Sequence, residues 1–468
     1  MMITPQDNRI TTAAIVKNII VAALFLWSLQ VFFPGSYSVD SWSMYGQASA
    51  GVYSDWHAPL FSFSWRILLL ITKKFYSIYL LQMLLYWLFA WLLLVRINRS
   101  NFIFLAGILF SLLLLFVPQY VMKDTMLAIC WGIATMLLLV VAEKYSRRKN
   151  LVLWTAILLF SYGLLIRINA LPAALPFIYL LTGLFRPRAT RIAKAAIAIT
   201  AGICFFFLND IITYKLLRAG HDHAAYKLEL LDIIGIARNT GDDYMPDNVR
   251  SFPGYDPQKI MAQYTPASID DLYWPADQKS YVFPNPGDAV ADSVHSRWKQ
   301  AVLHHPWAYL CNRTEGFLYY LRLKKRFAAN DYWNAAIWID PNNPLGVKRA
   351  NNYFTERFCH IYADLGRSWF FTPWAWLLLN ILLLYRFAAN YRKTKHSFYK
   401  IVMLMQASAI LYTLSQLPVY QHDRDFRYHY WNVFAAFIGF VCLFRQMPGQ
   451  ASGGGMFFRF NIRLMKTR

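Results

Sequence analysis

Four short stretches hold the residue types that acid–base and phosphate chemistry need. The first reads Ser38-Val39-Asp40-Ser41-Trp42-Ser43-Met44-Tyr45-Gly46-Gln47 and runs on to Asp55-Trp56-His57-Ala58-Pro59-Leu60. Ser38 or Asp40 would cap a short helix beginning near position 41, and Asp40, Met44 and Gln47 then fall along one face. Asp40 is either a cap and nothing more, or a carboxylate aimed as general base at a hydroxyl or amide acceptor. The other three stretches are Lys123-Asp124, Arg167-Ile168-Asn169 and Arg424-Asp425-Phe426-Arg427-Tyr428. Arg grips phosphate bidentately and Lys grips it as a point charge, so cations beside one free carboxylate fit an anionic ligand next to an acid–base group. Each stretch also has a plain reading. Lys123 and Asp124 would pair with each other, Arg167 would snorkel to headgroups, 423–427 would neutralise itself, and His57 would pack on Trp56.

The elements that must carry these residues are membrane helices. Of 468 residues, 57% are hydrophobic and only 15% charged, against about 25% charged in a soluble domain. That balance excludes a disordered chain, a coiled coil and most soluble enzymes. Apolar runs with few or no charges lie at 15–33, 77–95, 102–122, 125–142, 151–166, 170–185, 195–213, 369–385, 401–420 and 430–444. They predict an all-α polytopic membrane protein with about ten spans. No small-residue cleavage site follows the first run, which reads as a retained anchor.

Charge placement sets the expected orientation. If 58–72 does not span, Arg96, Arg147, Arg188, Arg392 and their basic neighbours, together with both termini, fall on the cytoplasmic side of a plasma or inner membrane. The stretch 58–72 is then an interfacial or re-entrant helix on the outer face. Residues 215–366 hold 17 of the 25 acids and 17 of the 47 bases, with many turn signals, and predict an extracytoplasmic domain of mixed helix and loop. The expected units are a membrane part over 1–214, that domain, a second membrane part over 367–446 and a basic tail over 447–468. The formal charge of +22 therefore belongs to the membrane part, so it reads as topology and not as nucleic-acid binding. Cys311 and Cys359 are the two cysteines on the outer side, which leaves a disulfide open. No His or Cys spacing indicates a metal site.

The loop with Asp40 and His57-Ala58-Pro59-Leu60 resembles the GT-C glycosyltransferase superfamily. That superfamily carries an acidic residue after the first helix and a His-Pro-Pro-Leu-like element further on. Here Ser41 stands where a second acid is common, and Ala58 stands where the first Pro is. Lys123-Asp124, Arg167-Ile168-Asn169 and Asp425-Phe426-Arg427-Tyr428 are similar to elements of its bacterial cell-surface-polysaccharide branch. The resemblance implies a transferase that takes a sugar from a polyprenyl-phosphate donor to a glycan or glycolipid acceptor of the cell envelope. It implies Asp40 as catalytic base, with Gln47, Asp55, His57, Lys123, Asp124, Arg167, Asn169, Arg424, Arg427 and Tyr428 binding substrate. A flippase for lipid-linked sugars and a non-enzymatic assembly protein are the alternatives. Against the first, no inverted repeat or Gly/Pro-broken helix pair is found.

Overall fold

The computed structural model describes residues 12–97, 100–143, 149–269, 272, 283, 287–324, 337–366, 368–419 and 425–445. Among these lie 18 α-helices and no β-strand. Arg424, the loop bases Lys144, Arg147 and Arg148, and the 447–468 tail lie outside the described residues.

The first half of the chain forms α1 (Thr12–Phe32), α2 (Val39–Ala50), α3 (Pro59–Thr72), α4 (Ser77–Trp91), α5 (Asn101–Leu113), α6 (Lys123–Glu143), α7 (Lys149–Leu165), α8 (Leu171–Phe185) and α9 (Arg191–Asp210). A polar segment follows with α10 (Ala225–Thr240), α11 (Asp247–Arg250), α12 (Pro257–Gln263), α13 (Asp288–His304) and α14 (Pro306–Tyr320). The chain then returns to apolar helices through α15 (Tyr353–Gly366), α16 (Pro373–Thr394), α17 (Ser397–Leu414) and α18 (Tyr430–Leu443).

Each of the ten apolar runs holds a helix, and six of these helices are long and apolar enough to cross a bilayer. They are Thr12–Phe32, Ser77–Ile97, Lys123–Ala142, Ile168–Phe185, Arg191–Leu216 and Ser397–Leu414. The architecture is that of a multi-pass membrane protein. The other four runs fall short of that standard for physical reasons. At about 1.5 Å per residue, the helices at Asn101–Phe116 and Asn150–Leu165 and the 14-residue α18 are too short. Helix α16 has the length but carries Asn380, Arg386, Asn390, Arg392 and Lys393.

Helix α6 is the centre of the bundle, with 83% of its span buried. Its Trp131 meets the rings of Phe160 at 5.2 Å and Trp431 at 5.3 Å. The close approach of α7 requires Gly163, where a Cβ would stand 2.7 Å from the Trp131 ring. Helix α4 runs back along α1. The Tyr79 hydroxyl donates to the Leu29 carbonyl, Trp87 Nε1 to Ser28 Oγ and Trp91 Nε1 to Asn18 Oδ1, so partners on α1 step backward as α4 advances. Residues 33–76 thus leave and re-enter at one end of the bundle, and α3 does not traverse it. Apolar α3 packs against α2 through buried Phe61 and Trp65.

The polar segment divides in two. Helices α10 and α13 enclose a small core of its own, including Tyr226, Leu230, Ile233, Ile234 and Val294. Residues from Ile337 onward join the main core instead, where Tyr362 and Phe371 are buried. There α15 lies against α1, with Phe358 5.2 Å from the Phe32 ring and Thr355 Oγ1 donating to the Val31 carbonyl at 2.8 Å. Cys359 on α15 and Cys311 on α14 are both free.

Candidate active site at one end of the helix bundle

The site is assembled where α1 ends, α6 and α18 begin and α7 ends. Ser38, not Asp40, caps α2: its hydroxyl accepts from Ser41 N while Ser41 Oγ accepts from Ser38 N, a reciprocal capping box. The Asp40 carboxylate, in the first turn, is thereby left for other partners. The loop is stitched to the turn before α6. Ser36 N donates to Gln119 O at 2.7 Å, Val121 N to Ser36 O at 3.0 Å and Ser41 Oγ to Val121 O at 2.8 Å. From α4, buried Gln82 donates to the carbonyls of Pro118 and Tyr120. Leaving such buried groups unpaired would cost about 1–3 kcal/mol each, so the register between Asp40 and Lys123 is set by backbone as well as by side chains.

Seven of the expected residues, from four segments, meet here. Asp40 Oδ2 lies 2.7 Å from Arg427 Nη1, and Asp40 Oδ1 lies 3.9 Å from His57 Nε2. Arg167 Nε is 2.8 Å from Asp124 Oδ1, in a pair whose Asp124 side chain is 1% exposed. Lys123 stands within electrostatic reach of Asp40, Asp124, Arg167 and Arg427, and makes no ion pair among the described residues. Both guanidiniums lie against the Tyr428 ring, its centroid 4.8 Å from Arg167 Cζ and 5.2 Å from Arg427 Cζ. The plain readings of Lys123-Asp124 and Arg167 therefore do not hold, since Asp124 pairs with Arg167 across two helices. The plain reading of the last loop holds in part: Arg427 Nη2 does bind Asp425 Oδ2, at 2.8 Å, but Asp40 shares the guanidinium.

The electrostatics follow from that packing. Burial would raise the Asp40 carboxyl, but the Arg427 guanidinium, aided by Lys123, outweighs it and holds the acid well below the usual carboxylate range. Burial pushes the His57 imidazole down to about 3, and Lys123 adds to the shift, so His57 is neutral near pH 7. Burial also works against the charge on Arg167, and Asp124 more than restores it. Tyr428 is pushed up to about 12 by burial, so its hydroxyl keeps its proton.

Three expected residues stand apart. Gln47 Nε2 donates to Ser54 Oγ at 3.1 Å within the loop. Asn169 is exposed in the 3-10 turn Ile168–Ala170. Asp55 joins the loop to the start of the polar segment: it accepts from Tyr214 Oη at 2.9 Å and Asp222 N at 2.7 Å, and lies 3.3 Å from His221. Beside it, Asp55 N donates to Gly220 O and Gly220 N to Tyr53 O. Conversely, Tyr120, Tyr320 and Tyr412 belong to the site's wall and no sequence signal places them there, whereas Asp425 is there as the partner of Arg427. Tyr412 is within electrostatic reach of Arg167 and Tyr120 of Arg427 and Asp40, and Tyr320 packs 4.4 Å from the His429 ring. Asp425 was legible as the partner of Arg427 in sequence, but no spacing rule brings tyrosines from α14 and α17 to that point.

Among the described residues no three His, Cys, Asp or Glu side chains gather as metal ligands. The arrangement offers three cations, a carboxylate that is about a third exposed, and a neutral imidazole, all at one end of an apolar bundle. No family model, no curated protein and no solved structure matches this chain.

Proposed function

We propose that this chain is a membrane glycosyltransferase of the GT-C kind that moves a sugar from a polyprenyl-phosphate donor to a cell-envelope glycan or glycolipid. The observation that carries the reading is the meeting of Asp40, His57, Lys123, Arg167 and Arg427 at one bundle end. A polyprenyl phosphate keeps its chain in the bilayer and its phosphate at headgroup level, where such an end lies. On this reading the acceptor hydroxyl attacks the anomeric carbon from the face opposite the phosphate. The carbon–oxygen bond to phosphate breaks with inversion, and Asp40 takes the hydroxyl proton. Lys123, Arg167 and Arg427 stabilise the charge that collects on the departing phosphate. His57, neutral and 3.9 Å from Asp40, adds no cation to compete for the phosphate.

The reading includes an orientation: the site faces outward, the polar segment is extracytoplasmic, both termini are cytoplasmic, and the four shorter apolar helices complete about ten spans. Impermeant thiol labelling of single-cysteine variants in intact cells should reach position 280 and miss position 147; labelling at 147 would reverse the orientation. The decisive test is transfer itself. Purified protein in proteoliposomes, given labelled polyprenyl-phosphate sugars and an envelope glycolipid extract, should form a labelled product. The Asp40→Asn protein, folded equally well, should not. Transfer undiminished in Asp40→Asn would end this reading.

A further inference from the structure

Arg427 is held by two carboxylates that are not equivalent. Asp425 is two residues away, with Oδ2 2.8 Å from Nη2, and its side chain is 16% exposed. Asp40 comes from α2 at the other end of the sequence, with Oδ2 2.7 Å from Nη1, and is 31% exposed. Arg427 Nε has no hydrogen-bond partner among the described residues. Lys123 is within electrostatic reach of Asp40, and its ammonium makes no ion pair among the described residues. An anion drawn to Lys123 therefore meets Asp40 as its rival for one edge of the guanidinium, while Asp425 sits on the other edge. A guanidinium offers two separate bidentate edges, so one edge can change partner while the other stays occupied.

We propose that Asp40 is a displaceable counter-ion: a phosphate group replaces it on Arg427, Asp425 positions the guanidinium through the exchange, and Asp40 is released toward a second ligand. Two consequences follow. Phosphate enters before the second ligand, because Asp40 is engaged until it does. Asp425 is a positioning residue that acts through Arg427. The identity of the second ligand as a sugar acceptor rests on the transferase reading; the exchange itself does not.

The test is binding of undecaprenyl phosphate to the full-length protein in lipid nanodiscs, with thermal unfolding as a check that each variant is folded. Removing the rival carboxylate in Asp40→Asn should tighten binding roughly tenfold, the scale of one nearby like charge at the edge of a protein. Asp425→Asn should weaken binding by roughly threefold or more as the guanidinium loses its fixed partner, and Asp425→Glu, which keeps the charge, should restore it. Simple charge removal predicts instead that Asp40→Asn and Asp425→Asn tighten binding alike. That outcome, or unchanged binding in Asp40→Asn, overturns the proposal. A parallel titration with inorganic phosphate separates the sources. The same signs there assign the exchange to the phosphate group alone, and the same signs with the lipid only assign it to a chain-anchored phosphate. Sugar transfer plays no part in this measurement, so correct signs without any transfer would end the transferase reading and leave the exchange standing.

Discussion

Two Arg–Asp pairs in this molecule use the same chemistry to different ends. In the polar segment Arg313 Nη2 lies 2.6 Å from Asp232 Oδ2, with both side chains at most 2% exposed. Trp298 Nε1 also donates to that oxygen at 2.9 Å, and the pair ties α10 to α13 and α14. At the bundle end Arg427 and Asp40 are just as close, but Asp40 is open to one side and an uncommitted lysine stands near. A sealed pair can only hold structure, because nothing reaches it. An open pair with a spare cation can trade partners. Full burial of both partners marks a strut, and burial with one exposed edge marks a site.

Breaking each pair from its acidic side should give opposite phenotypes. On the proposed transferase reading, Asp40→Asn should cut transfer by about 10²- to 10⁴-fold, the usual range for a general base, with little loss of thermal stability. Asp232→Asn should do the reverse. It strands a buried guanidinium, which costs on the order of 3–5 kcal/mol, while turnover per folded molecule stays near normal. Unfolding midpoints measured beside specific activity separate the two, and a large activity loss in folded Asp232→Asn would erase the distinction. Next in size, Arg167→Ala should raise the donor KM by about tenfold or more with a smaller change in kcat, and Lys at that position should recover only part of it, since a point charge cannot reproduce the fork.

A pH series sharpens the same contrast. The His57 imidazole falls from its ordinary 6.5 to about 3 because it is buried. Between those values the unfolded chain takes up a proton that the folded site refuses. Stability from this group is therefore full above about pH 6.5 and is lost as pH falls toward 3. Unfolding scans from pH 8 to 4 should show a decline that flattens in His57→Gln. Identical slopes in the two proteins would mean that His57 is not held neutral by the site. The smallest expected effect is at the clasp: Tyr214→Phe removes one bond to Asp55 and should cost about 0.5–1.5 kcal/mol, read as a modest fall in unfolding midpoint.

Much of this was legible in the residues. Every apolar run holds a helix because membrane-length runs leave the backbone no other way to pair its polar groups. Charges clustered at helix ends pointed to the bundle end, and Ser38 was one of two caps foreseen for α2. What was not legible depends on distant pairing. Asp55 looked like a ligand from its place beside His57, yet its partners Tyr214 and Asp222 come from 159 and 167 residues away. Tyr320 reaches the site wall only because α14 descends onto the turn at Tyr428, a contact between positions 108 apart. The amphipathic run at 353–366 reads as part of the polar segment, and only its packing on Trp27 and Phe32 attaches it to the bundle.

The two tethers of the first loop have a consequence for how the chain can vary. Ser54 pairs with Gly220 and Tyr37 with Ile339, so the polar segment departs from and returns to the same short loop that carries Asp40. Mechanically it is an appendage hung from two adjacent hooks. Lengthening an excursion whose ends are already pinned is cheap, at about 0.6 kcal/mol for each doubling of a flexible loop. The appendage can therefore grow, shrink or be exchanged for another between those hooks without shifting Asp40 against Arg427, provided that the replacement brings its own side chain to the position of Tyr320. A graft that keeps both hooks and a shorter insert would reveal whether the bundle folds as a self-sufficient chassis.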